Sequence, residues 1–342
     1  MSTGQLPAKA ASIRDVARVA GVSYQTVSRV LNDHSNVRPS TRQRVLDAVD
    51  QLDFHPNRAA RMLATSRSHT IGAVAAALGG HHGPTSIIAA FENAARSHGY
   101  TTLLASPRDL DPDSLHEAVL DLVHQGVEGI AAIAPHAKSA EAIMATRTRI
   151  PIVLLQSHHH DVDGLAVDNS FGARLAAEHL TSLGYRRLGM ITGPLGWAEA
   201  EARQAGFRDA LHDSGASLAV VVEGDWSADS GYAAFGAIHR ADVHAVFCSN
   251  DQMALGFIHA ASEAGLRVPS DVSVVGFDDV PEAAHFLPPL TTIRQDFELI
   301  GRRAVSALIG RLSGEDPGFA GPLAPELILR ASTSPAAATA QP

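Results

Sequence analysis

Residues 21–32 read GVSYQTVSRVLN, and the stretch before them, Ser12 to Ala20, carries apolar side chains at Ile13, Val16, Ala17 and Ala20. That spacing makes one stripe of a helix, and Ser12 with Asp15 three residues on forms a capping-box pattern. Gly21 has the backbone freedom to stop the helix, and Ser23 is placed to cap a second helix from Tyr24. Val22 before the cap and Val27 inside the helix make a hydrophobic staple. Two short helices joined by so tight a turn predict a helix-turn-helix.

The second helix sorts its faces. Val27, Val30 and Leu31 cluster on one side, and Tyr24, Gln25, Ser28 and Arg29 on the other. Polar side chains near a helix N-terminus suit a DNA major groove, where Arg pairs with a guanine edge and Gln with an adenine edge. A solvated polar face is the alternative for a lone helix; the paired caps and tight turn favour DNA. A third helix is expected with Ser40, after Pro39, as its cap and with Val45, Val49 and Leu52 facing inward. FHPNRAARMLA, residues 54–64, is a short run of helix formers with two arginines, too few turns to be stable alone.

Charge is divided along the chain. Residues 1–66 hold nine Lys/Arg and five acids, a net of +4, which leaves −13 on the remainder of a chain whose total is −9. A basic headpiece can neutralise phosphates while an acidic body stays clear of the duplex. No uninterrupted apolar run reaches the ~18–20 residues of a membrane span, and MSTGQLPAKAAS at the start has no apolar signal-peptide core, so no membrane partner and a cytoplasmic location are expected. The single cysteine, Cys248, excludes an internal disulfide and reads as a buried strand residue.

After Ser68 strands and helices alternate, which predicts parallel sheets with right-handed crossovers. Ten strands are expected, from Ile71–Leu78 to Glu326–Leu329, with helices such as Thr85–His98, Phe171–Leu183 and Gln252–Ala264 between them. Arg203, Trp226, Asn250 and Asp278 stand beside predicted strand ends, where open α/β sheets place ligands. Together they suit a sugar: an aromatic plane for the ring's apolar face, with donors and acceptors for its hydroxyls. Taken singly, each has a plainer reading: a surface helix residue, a core tryptophan or helix caps.

In seven runs the chain resembles the lactose repressor (LacI/GalR) family of bacterial transcription factors. IRDVARVAGVSYQTVSRVLN is similar to the family headpiece and HPNRAARMLA to its hinge helix. GPLGWAEAEARQAGF at 193–207, GDWSADSG at 224–231, NDQMALG at 250–256, SVVGFDDV at 273–280 and PPLTTIRQDF at 288–297 are similar to body motifs in family order. The resemblance implies a helix-turn-helix headpiece (1–56), a hinge helix and linker (57–68), and a two-lobed α/β body (69–330) like the periplasmic sugar-binding proteins. Lobe one would comprise 69–167 and 297–330, lobe two 168–296, and 331–342 a disordered tail. It also implies operator contacts from Tyr24, Gln25, Ser28, Arg29, Asn32, Asn57, Ala60 and Leu63, with Leu63 wedged into the minor groove. The effector cleft would use Arg203, Trp226, Asn250 and Asp278, joined by Gln295, Phe297, Ile87 and Gln156. Gln156 stands where the resemblance would place an aspartate. The tail carries no leucine heptads, which favours a homodimer over a tetramer.

These features imply a non-enzymatic repressor of a sugar-utilisation operon, released from double-stranded operator DNA by a saccharide, a galactoside or related β-glycoside. A ligand-corepressed regulator of the same family is the alternative; a sugar-binding protein and a sugar dehydrogenase fit less well. No cofactor is expected, since GPLG at 193–196 is not a dinucleotide fingerprint and no Walker sequence occurs. No metal is expected either: His81-His82 and His158-His159-His160, with Asp161 and Asp163, are adjacent residues that point in different directions.

Overall fold

The computed structural model describes residues 11–31, 36–54, 67–75, 82–107, 111–134, 136–156, 164–315, 318 and 321–336. The chain divides into a headpiece unit, Met1–Ser68, and a body, His69–Pro342. Headpiece helices are α1 (Ile13–Ala20), α2 (Tyr24–Leu31) and α3 (Pro39–Gln51). The Ser12–Asp15 capping box forms in both directions, and Gly21 ends α1 in the left-handed region at φ 64°. Ser23 Oγ accepts from the Thr26 amide at 3.2 Å, so the turn is closed by the two caps read from the sequence. Val16, Ala20, Val27, Val30, Val45, Ala48 and Phe54 share one core. The start of α3 differs from expectation. Pro39 is its first residue, Arg38 occupies the cap position, and no side chain caps it. Proline fits the first helical position because the amide it lacks has no partner there.

In the body, lobe one is a parallel sheet of β1 (Thr70–Val74), β2 (Thr101–Ala105), β3 (Ile130–Ile133), β4 (Ile152–Leu155) and β5 (Gly164–Leu165), in the order β2-β1-β3-β4-β5. Strand residues alternate between two cores, as a period of two demands. Ala131 and Ile133 pack with α4 (His82–Ser97) and α11 (Phe297–Leu312). Ile130 and Ala132 pack instead with α5 (Pro112–His124) and α6 (Ala137–Ala145).

Lobe two repeats the plan with β6 (Arg187–Thr192), β7 (Ser217–Glu223), β8 (Ala245–Cys248) and β9 (Ser273–Val275), in the order β7-β6-β8-β9. Ile191, Val246 and Val274 face α9 (Ala228–Arg240) and α10 (Asp251–Glu263). Met190, Phe247 and Val275 face α7 (Asn169–Ser182) and α8 (Ala198–Asp213). Cys248 is buried in the first of these cores.

The chain's return differs from expectation. It passes between the lobes near Val167, again near Phe297, and then a third time. Leu323 exchanges backbone hydrogen bonds with Ala166 and Asp168, both 2.8 Å, and β11 (Glu326–Ile328) pairs antiparallel with β10 (Thr292–Arg294). The segment from β11 onward therefore packs with lobe two rather than lobe one. Nor does order stop at Arg330: Ser332 is fully buried, Val274 donates to its carbonyl and Ala336 donates to that of Leu183. Small Ser, Thr and Ala side chains let this extended segment lie close to lobe two, a fit that composition alone reads as disorder. β10 was not expected as a strand, because Thr-Ile-Arg is too short to show a period.

No helix among the described residues is long and apolar enough to cross a membrane.

Candidate functional site

On α2, Tyr24, Gln25 and Arg29 are exposed and Ser28 is half-buried, while Val27 and Val30 are buried. The polar group thus forms an outward face at the N-terminal end of the second helix, as its spacing predicts. Asn32, Asn57, Ala60 and Leu63 lie outside the described residues.

The body's cavity opens between the lobes at the carboxyl ends of both sheets. In each sheet the strand order reverses at the first strand, the place where such sheets form ligand crevices. Gln156 follows β4, Trp226 follows β7, Asn250 follows β8 and Asp278 follows β9; Gln295 and Phe297 come from the second crossing, and Arg203 projects from α8. All seven line one cavity. Ile87 does not: it is fully buried in the lobe-one core, packed with Phe91 and Phe297, so its expected role is corrected to that of a core residue.

Arg203 organises the cavity. It is 2 % exposed, Nε donates to Asn169 Oδ1 at 2.8 Å and Nη1 donates to the Ser249 carbonyl. Its guanidinium lies over the Phe277 ring, 3.8 Å from the centroid, an arrangement that suits a planar, weakly hydrated cation. Nη1 stands 3.6 Å from Asp278 Oδ1 and Nη2 3.8 Å from Glu199 Oε2. An arginine this deep needs such compensation, because an unpaired buried charge costs several kcal/mol.

Asp278 and Asp279 both adopt positive φ, 110° and 55°, a local strain of order 1–3 kcal/mol per residue. Neighbouring bonds hold it. Asp279 accepts from Arg294 at 2.7 Å and from Arg330 at 2.6 Å, and buried Asp251 accepts from the Val280 amide and from Thr292. Asp278 Oδ1 is thereby aimed inward, where it accepts from Gln295 Nε2 at 2.6 Å. Burial raises the Asp278 carboxyl above its usual range, with Arg203, Gln295 and His82 opposing.

Asn250 does two things at once. Its Oδ1 caps α10 through the Met253 amide at 2.8 Å, and its Nδ2 donates to the Trp226 carbonyl at 2.9 Å. It both caps the helix and lines the cavity. Trp226, at φ 71°, is also both core and lining. Its ring covers Gly193, where an added Cβ would sit 2.1 Å from a ring carbon; only glycine permits that approach.

Sequence reasoning missed Glu199, Trp197, Asn169 and His82. Trp197 meets Trp226 edge-on at 5.9 Å and His136 at 5.2 Å, and His136 Nδ1 lies 2.7 Å from the Gly196 carbonyl, a contact between the lobes. Glu199 sits one turn before Arg203 on α8, a spacing that could have been seen. His82 lines this cavity. No cluster of three or more potential metal ligands occurs among the described residues; His81, His158, His159, His160, Asp161 and Asp163 lie outside them.

Burial raises the Glu199 carboxyl to about 7, against the opposing pull of Arg203. The folded protein therefore retains a proton there that the unfolded chain releases near pH 4.5, so this group stabilises least at high pH. Stability is expected to fall as pH rises from about 4.5 to about 7, and Glu199→Gln to flatten that slope. Urea unfolding of both proteins across this window checks it; an unchanged slope contradicts the burial of a titrating carboxyl.

Residues 12–57 match the bacterial regulatory proteins of the lacI family, and residues 177–333 match the periplasmic binding protein-like domain. The lactose operon repressor of Escherichia coli K12 is 36 % identical over 311 residues, spanning 90 % of this chain and 86 % of the relative. The transcriptional repressor PurR of Haemophilus influenzae is 32 % identical over 332 residues, spanning 94 % and 98 %. A crystal structure of the lac repressor dimer bound to operator and the anti-inducer ONPF superposes with a TM-score of 0.88 at 35 % identity, covering 95 % of this chain and all of that one. With an exposed polar face on a capped helix-turn-helix and a cavity between two parallel-sheet lobes, the chain belongs to the lacI family of bacterial regulatory proteins and is a DNA-binding transcriptional repressor.

Proposed function

We propose that this repressor binds operator DNA as a homodimer and is released by a neutral saccharide, a galactoside or related β-glycoside, held between the lobes. The observation that carries the reading is the convergence of Arg203, Asp278, Asn250 and Trp226 on one cavity: paired charges and an amide for hydroxyls, and an indole for the ring face. Gln156 brings an amide, donor as well as acceptor, to the end of β4, which keeps β-glucosides in the range of effectors beside galactosides.

Three chain crossings join the lobes, near Val167, Phe297 and Leu323, so the lobes can pivot about a narrow waist. A ligand acts on DNA only by favouring one lobe arrangement over another. In this reading the arrangement with saccharide separates the paired hinge segments, residues 57–64, and these are too short to stay helical without DNA and a partner. Calorimetry with a panel of neutral glycosides tests the ligand class. Binding of at least one is expected, and a panel with no binder contradicts it.

Tyr24, Gln25 and Arg29 would read each half-site of a near-palindromic operator. Arg29→Ala is expected to cost about 1–3 kcal/mol per half-site and to relax base preference. Gel-shift titrations with operator and scrambled DNA check this; an unchanged specificity ratio rules Arg29 out as a reader.

A further inference from the structure

The cleft holds one guanidinium and two carboxylates, and the second carboxylate, Glu199, has no counterpart in the readings above. Its residue is 9 % exposed and lines the cavity. Glu199 Oε2 lies 3.8 Å from Arg203 Nη2, and Asp278 Oδ1 lies 3.6 Å from Nη1. Both gaps exceed the 2.7–3.2 Å of a hydrogen bond. Among the described residues Nη2 donates no hydrogen bond and the Glu199 carboxylate accepts none, although Nε and Nη1 are both engaged. A carboxylate placed only to neutralise Arg203 would close onto it.

The spacing suits a third atom. An oxygen about 2.8 Å from each end of a 3.8 Å gap stands roughly 2 Å to the side of the line joining them. A hydroxyl there accepts from the guanidinium and donates to the carboxylate, which satisfies all three groups. The Asp278 gap, 3.6 Å, is of similar width on the other side of the guanidinium. Nη1 already donates to the Ser249 carbonyl and Asp278 Oδ1 already accepts from Gln295, but each has a second proton or lone pair for a hydroxyl. Two neighbouring ring hydroxyls would fill both.

We propose that Glu199 and Asp278 flank Arg203 as a clamp for two adjacent hydroxyls, and that Glu199 makes the cleft reject acidic sugars such as uronates and sugar phosphates. The proposal rests on the saccharide reading given above. Once Glu199 is ionised, above about pH 7, one cation faces two carboxylates 3.6 and 3.8 Å away, so a ligand acid would enter as a third anion with no partner. Like charges brought together in a desolvated site repel strongly, and the penalty falls on acidic analogues alone.

Calorimetry at about pH 8, where Glu199 is ionised, on the full-length protein with methyl β-galactoside, methyl β-glucoside and their uronate counterparts tests it. The wild-type protein is expected to bind a neutral glycoside and to bind its uronate at least a hundredfold more weakly. Glu199→Gln, nearly isosteric, and Glu199→Ser are expected to weaken the neutral glycoside at least tenfold and to narrow the neutral-to-uronate preference at least tenfold. Thermal unfolding and operator binding of each variant report whether the body is intact. Unchanged affinity and preference in a folded variant overturn the clamp and leave the saccharide reading standing. Wild-type protein that binds uronate as tightly as the neutral glycoside overturns the clamp with no variant needed. A wild-type protein that binds none of the four overturns the saccharide reading and the clamp with it.

Discussion

Arg203→Leu is expected to abolish effector binding and to destabilise the body by about 3–5 kcal/mol, the cost of removing one partner from a buried charged network. Asn169 Oδ1 and the Ser249 carbonyl lose their donors, and the Asp278 and Glu199 carboxylates lose the cation that offsets their burial. Without Arg203 both carboxyls titrate still higher, and each then stabilises the folded state least where it must ionise. The loss should therefore be larger at pH 8 than at pH 5. Urea unfolding at the two pH values reads both quantities. A loss below 1 kcal/mol, or one independent of pH, would show that Arg203 is not the charge that holds the cavity together.

Asp278→Asn is expected to separate the two functions. The variant keeps the shape of the side chain but loses the charge beside Arg203, so ligand affinity should drop about 10–100-fold, the value of a hydrogen bond to a charged group. Operator affinity should stay within twofold of wild type, because the proposed operator-contacting face on α2 is untouched. In cells such a protein represses and no longer responds to effector. If Asp278→Asn responded normally, the convergence of residues at the carboxyl ends of β8 and β9 would not be the effector site.

Much of this was legible from local patterns with a physical cause. Ser12, Gly21 and Ser23 announce the ends of α1 and the start of α2, since unpaired amides and a left-handed turn admit few residue types. Strand runs such as Arg187–Thr192 and Ala245–Cys248 are readable because strands buried on both faces are continuous apolar runs. Arg203, Asn250 and Asp278 stood out beside predicted strand ends and within family motifs, and the structure gathers them at one cavity.

What was not legible depends on long-range contacts. Residues 331–336 have a disordered composition and gain order only from the sheet they lie along. β10 is three residues long, and only its pairing across the α11 excursion with β11, itself read from the sequence as Glu326–Leu329, makes it a strand. Ile87 was placed in the cleft, whereas the register of α4 turns it into the core. Glu199 was overlooked because an acid in the first turn of a helix is ordinary; only the depth of Arg203 makes it part of the site.

The central claim is that a saccharide between the lobes weakens operator binding. Fluorescence anisotropy of labelled operator DNA, titrated with the full-length protein in the presence and absence of a saccharide that calorimetry has shown to bind, tests it most directly. A coupling of about 1–3 kcal/mol predicts an operator Kd raised 5–150-fold by the saccharide, with non-specific, phosphate-driven binding nearly unchanged. An operator Kd that is unaltered, or lowered as a corepressor would lower it, would contradict the account.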